Sequence, residues 1–95
     1  MVKADIVKRI SEQTGLKPAA AREVVEIVLA SVKGALVEGD TVYLRGFGTF
    51  ERKRRKAKPA RDMKHGLQIT LPARDIPHFR ASREFREQLN DAGAE

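Results

Sequence analysis

The chain has no cysteine and no tryptophan, one tyrosine, four phenylalanines and two histidines in 95 residues. Without cysteine there is neither a disulfide framework nor a thiolate zinc site. His65 and His78 are too few and too scattered for a metal cluster, so no metal and no cofactor is expected. Catalytic groupings are also lacking. There is no thiol nucleophile, no Ser-His-acid arrangement and no glycine-rich phosphate loop beyond a single GFG turn, so no catalytic residue is assigned and an enzyme is not expected. Long apolar runs are missing too: MVKADIVKRI at the start interleaves charges with aliphatics, and the longest near-apolar stretch, Val24 to Ala30, contains Glu26. The expectation is a cytoplasmic chain without a membrane segment. At this length one copy supplies little apolar surface for a core, which favours an oligomer.

What the chain does have is positive charge, in one place. Residues 52 to 64, RKRRKAKPARDMK, hold eight Lys/Arg and one Asp, a net of +7 against +6 for the whole chain, so everything else together carries −1. A chain that is basic only for solubility spreads its lysines. A near-neutral body with one strongly positive appendage points to a polyanionic partner, nucleic acid above all. Because this run lies between two segments of alternating apolar residues, it reads as a projecting arm and not as a solvated tail.

Periodicity outlines the rest. Lys3 to Gln13 forms an amphipathic helix, with Ile6 and Ile10 four apart and Gly15 as its stop. Pro18 opens a second helix, in which Ala21, Val25, Val28, Val32 and Ala35 or Leu36 recur at steps of three or four through to Val37. Val24 and Leu29 widen its stripe beyond what one short helix covers, which predicts that a second copy covers the remainder. After the break at Glu38-Gly39-Asp40, Val42 and Leu44 alternate as a half-buried strand, and GFG at 46 to 48 turns into another. Phe47, Phe50 and Phe79 have apolar neighbours and read as core, not as stacking platforms for single-stranded bases. Leu67, Ile69 and Leu71 alternate as a returning strand, which Pro72 and Pro77 are expected to disrupt. Ser82 is placed to cap a last helix through Asn90.

These features in this order resemble the HU and integration host factor family of bacterial DNA-binding proteins. The resemblance is carried by the helical hairpin, GFGTFERKRR at 46 to 55, Gly66, I-x-L-P-A at 69 to 73 and IP-x-F at 76 to 79, and it covers Met1 to about Asn90. It implies an α+β fold: an N-terminal helical hairpin, a three-stranded antiparallel sheet with a long basic β-arm, and a short C-terminal helix, in an intertwined dimer. A single domain over 1–90 is then expected, divided into a helical dimerisation base 1–38, sheet and saddle 40–51 and 66–81, arm 52–65 and C-terminal helix 82–90, with 91–95 a frayed tail. The dimer core would be Val28, Leu29, Val32, Leu36, Leu44, Phe47, Phe50 and Phe79.

The resemblance also implies site residues. Lys53, Arg55, Lys58 and Arg61 match basic positions on the DNA-facing side of the arm, while Arg52, Arg54 and Lys56 alternate between them and add charge; Arg52 and Lys64 are also expected to contact DNA. Lys3, Arg80 and Arg83 match basic positions of the body that touch flanking phosphates. Two departures stand out. Where the family has Arg-Asn-Pro at the arm tip, this chain has Arg61, Asp62 and Met63, so Met63 takes the place of the intercalating proline. Asp62 brings a carboxylate near phosphates, which weakens contact unless Arg61 or Lys64 neutralises it. The second departure, Ala81 and Ser82 for Pro-Gly, changes a turn.

The function this implies is an architectural, nucleoid-associated protein that grips the minor groove of double-stranded DNA with two arms, bends it and compacts it with little sequence preference. The alternatives are a sequence-preferring subunit like integration host factor, an RNA-binding module, and a scaffold whose arm docks an acidic protein. The partner subunit, itself or a paralogue, is left open.

Overall fold

The computed structural model describes residues 1–93. Within them the chain falls into two compact units, Met1–Ala35 and the part from Leu36 onward. The division follows from packing, because each unit closes an apolar cluster of its own.

In the first unit, helix α1 spans Lys3–Thr14 and helix α2 begins at Pro18 and ends at Val37. The N–H of Val2 donates to Asp5 Oδ2 at 2.6 Å, which satisfies one of the open donors at the start of α1. At the other end the Gly15 N–H donates to the Ser11 carbonyl at 2.9 Å. Val7, Ala21 and Val25 form the buried cluster of this hairpin, with Ile10 packed against it. They are the only buried apolar side chains among the described residues. The rest of the α2 stripe stays in water: Ile27 is 57 %, Val28 52 % and Leu29 41 % exposed.

The second unit is built on an antiparallel sheet of order β1-β2-β5, from β1 (Val42–Leu44), β2 (Gly48–Arg55) and β5 (Arg74–Ala81). Gly48 has to be glycine. A Cβ there would meet the Phe79 ring at 2.5 Å and the Arg80 carbonyl oxygen at 2.6 Å. That close approach lets Phe47, Phe50, Phe79 and Phe85 gather, with neighbouring ring centroids 4.8 to 6.4 Å apart. Each such aromatic pair contributes about 0.5–1.5 kcal/mol beyond its area. Helix α3 (Arg83–Gly93) brings Phe85 into the cluster, its N-terminus capped by Ser82 Oγ, which accepts the Phe85 N–H at 3.1 Å.

Three expectations need correction. Pro77 does not disrupt the returning strand: it sits inside β5 opposite Arg52, and β5 is an edge strand, where a residue without an N–H is tolerated. The last helix runs on from Asn90 to Gly93, since Asn90 and Asp91 do not stop a helix as glycine does; of the expected tail, 91–93 are helical and 94–95 lie outside the described residues. Body and arm also meet elsewhere than at Arg52. β2 stays in the main sheet as far as Arg55, and the separate two-stranded ladder is β3 (Lys58–Asp62) with β4 (Leu67–Leu71), so 67–71 belong to the arm and not to the saddle.

Candidate nucleic-acid interface

Side chains alternate across a strand, so the register of β2 with β5 sorts the basic residues onto two faces. One face carries the pairs Phe50–Phe79, Arg52–Pro77 and Arg54–Asp75; the other carries Thr49–Arg80, Glu51–His78, Lys53–Ile76 and Arg55–Arg74. Tyr43, opposite Thr49 on β1, joins this second face and is 75 % exposed.

The faces differ in what their cations do. Arg52 donates from Nε and Nη2 to Asp75 Oδ2 at 3.1 and 2.8 Å, and from Nη1 to the Val37 carbonyl at 3.2 Å. Arg54 Nη1 reaches Asp75 Oδ1 at 3.2 Å. Arg52 first, and Arg54 after it, hold the Asp75 carboxyl below the usual carboxylate range. Arg52, expected at the nucleic-acid contact, braces the root of the arm while its side chain stays 47 % exposed. Lys53 and Arg55, on the opposite face, make no ion pair among the described residues, and neither do Lys58, Arg61, Lys64 or Arg80.

Further out, Lys58 and Arg61 are three residues apart in β3 and so fall on opposite faces of the β3–β4 ladder, Lys58 across from Leu71 and Arg61 across from Gln68. The four arm positions expected on one side are thus together only for Lys53 and Arg55. At the tip, Met63–Gly66 forms the turn, in which Gly66 has φ 66° and donates its N–H to the Asp62 carbonyl at 2.7 Å. Asp62 Oδ1 accepts the N–H groups of Lys64 and His65 at 3.0 and 3.3 Å, and Oδ2 lies 2.8 Å from His65 Nδ1. These bonds, the His65 ring first, lower the Asp62 carboxyl below its ordinary value. The carboxylate expected to repel phosphate is accordingly occupied by His65 and the turn backbone, not by the side chain of Arg61 or Lys64. Met63, 88 % exposed, projects from a turn whose backbone is pinned.

On the body, Arg45, Arg80, Arg83 and Arg86 line an open cleft of about 340 Å³, together with Tyr43 and Ser82. Arg83 also donates from Nε to Glu87 at 2.9 Å. Lys3 is held at 2.7 Å by Glu26, whose carboxyl its hydrogen bond lowers. Sequence reasoning missed three of these cations. Arg45 directly precedes the GFG turn, and Arg86 follows Arg83 by three residues on a helix, both visible spacings. Arg74, whose Nη1 is buried without a hydrogen-bond partner, shows itself only through its register with Arg55.

A sequence model of the family described as bacterial DNA-binding protein matches residues 1–90. The chain belongs to this family. Its members of the HU and integration host factor type are architectural DNA-binding proteins and not enzymes. Integration host factor subunit alpha of Acinetobacter baumannii is 35 % identical over 91 residues, covering 96 % of this chain and 93 % of that one. The subunit alpha of Methylobacillus flagellatus is 35 % identical over 94 residues, covering 99 % and 94 %. Among solved structures, HU of Anabaena in a cocrystal with DNA superposes with a TM-score of 0.87 at 34 % identity, covering 94 % of this chain and 97 % of that one. HU from Thermotoga maritima, at 20 % identity and a TM-score of 0.64, shares the fold. No helix among the described residues is long and apolar enough to cross a membrane.

Proposed function

We propose that the protein acts as a dimer on duplex DNA, laying two arms along the minor groove, bending the duplex and compacting it in the nucleoid with little regard to sequence. HU and integration host factor are themselves type cases of this mode of binding. The observation that carries the proposal is the two-faced arm: Lys53 and Arg55 stand unpaired on one face while Asp75 occupies the arginines of the other, and Met63 projects from a pinned tip. In this reading Lys3, Lys53, Arg55, Lys58, Arg61, Lys64, Arg80 and Arg83 meet phosphates, and Met63 enters a base step. The HU relative crystallised with DNA supports it.

Dimerisation is supported by apolar surface that one copy leaves in water. Val28, Leu29, Leu44, Phe47 and Phe79 are 37 to 52 % exposed, and Val32, Leu36 and Phe50 are only partly buried. So much exposed apolar surface marks an association site. A duplex labelled at both ends, read by energy transfer and anisotropy together, tests the function. Bending with affinity that falls about 10³- to 10⁵-fold from 50 to 200 mM salt fits roughly 6 to 10 neutralised phosphates. Binding without a gain in energy transfer rejects the bend. The likeness to integration host factor subunits favours a second reading, sequence-preferring bending, and competition between unrelated duplexes separates the two.

A further inference from the structure

The β3–β4 ladder has an apolar face that charge does not explain. Leu67, Ile69 and Leu71 alternate along β4 opposite Asp62, Ala60 and Lys58 in turn, so these six share one face, an apolar strip with a charge at each end; Pro59, Arg61, Gln68 and Thr70 share the other. Leu67 is 61 % and Ile69 44 % exposed, at the end of an isolated two-stranded ladder with no third strand to shelter them. A lone exposed leucine is ordinary. Here the apolar strip runs up to the turn that carries Met63, because Leu67 pairs with Asp62, the residue just before Met63.

We infer that the arm tip is a two-residue wedge, in which Leu67 enters the opened base step of a duplex beside Met63 while Ile69 lies against the sugars of the minor-groove wall. The inference rests on the reading that the arm tracks that groove. The surroundings of the strip select DNA as the occupant: Lys58 lies on its face opposite Leu71, Lys64 in the adjoining turn and Arg61 on the reverse face, all without carboxylate partners among the described residues, while the Asp62 carboxylate opposite Leu67 is taken up by His65 and the turn backbone. A minor groove offers the matching arrangement, C–H-rich sugar walls between two rows of phosphates. Leucine and methionine are both among the side chains that wedge base steps, where the cost of unstacking is recovered through the contacts a bent duplex allows. A flexible thioether is a poorly pre-organised wedge by itself. A leucine anchored in a strand next to the same turn supplies the stiffer half.

The test uses the full chain and compares wild type with Leu67→Thr, which keeps a strand-favouring residue, and with Leu67→Met, which keeps apolar reach. End-labelled duplexes, intact or with a one-nucleotide gap, report bending by energy transfer and affinity by anisotropy. Leu67→Thr is expected to halve the energy-transfer gain roughly and to weaken binding to intact duplex about five- to tenfold, while gapped duplex, already open, changes by about twofold or less. Leu67→Met, apolar but as flexible as Met63, is expected to fall between wild type and Leu67→Thr. If wild type bends the intact duplex and Leu67→Thr bends and binds it equally well, the wedge is overturned and the arm reading survives. If wild type does not bend at all, the arm reading falls and the wedge with it. A change in self-association of DNA-free Leu67→Thr, seen by sedimentation, also overturns the wedge, since the strip would then join copies of the chain.

Discussion

The sheet body and the arm beyond it share strand β2, yet different forces hold them. Between Gly48 and Phe50 the strand is fixed by ring packing at a glycine that admits the Phe79 ring, and from Arg52 to Arg54 by Asp75; the turn at the arm tip is fixed by Asp62. The two carboxylates do opposite things. Asp75 pairs with two arginines that stay 47 and 64 % exposed, whereas Asp62 pairs with no arginine or lysine side chain and shapes backbone. Local charge density in a sequence therefore overstates the charge available to a polyanion, and an acidic residue within a basic arm is not in itself a defect.

Substitutions that unfold the body but spare the arm, or the reverse, sharpen this contrast. The largest effect is expected from Phe79→Ala, which removes a ring in contact with three others and should cost about 3–5 kcal/mol in chemical denaturation. Replacing both Lys53 and Arg55 by Ala should leave the unfolding midpoint in place. It should, however, weaken DNA binding by roughly tenfold and make the plot of log affinity against log salt shallower by about 2 per arm, since each neutralised phosphate contributes about 0.9. An unchanged slope would place the contact on the other face. Ser82→Ala removes the α3 cap and should cost about 1 kcal/mol, seen as a lower melting temperature with no change in salt slope.

The smallest effect concerns acid. Asp62 and Asp75 have carboxyl pKa values lowered in the folded chain, so their stabilisation is complete above the ordinary carboxylate value, near pH 4, and is lost as pH falls through the lowered folded values. The amide resonances of Lys64 and His65, whose N–H groups both donate to Asp62, should shift as the pH falls below about 4. Asp62→Asn keeps an acceptor for the turn and should abolish that shift. A shift that persists in the variant would assign it to another group.

Much of this was readable in the chain. Both helices of the hairpin begin and end where Gly15, Pro18 and the break after Val37 predict, because those residues act through local backbone geometry. The strand character of 52–62 was legible from its place between two strands and from the family resemblance, not from periodicity, since charged side chains leave no apolar period; its pairing depends on register with β5 and β4. The Arg52–Asp75 brace spans 23 residues and exists only once that register is set. Pro77 misled for a similar reason: whether a proline breaks a strand depends on which edge of the sheet it faces.

Strand β2 also has a mechanical meaning. It runs without interruption from Gly48 to Arg55, eight residues and roughly 26 Å. In the proposed mode of binding, torque applied by a duplex at Arg55 would reach the ring cluster at Phe50 through one continuous backbone, without a loop to dissipate it. The arm would then be a lever whose fulcrum is the aromatic core, and the stiffness of that core would set how much of the strain goes into bending the DNA and how much merely deflects the arm.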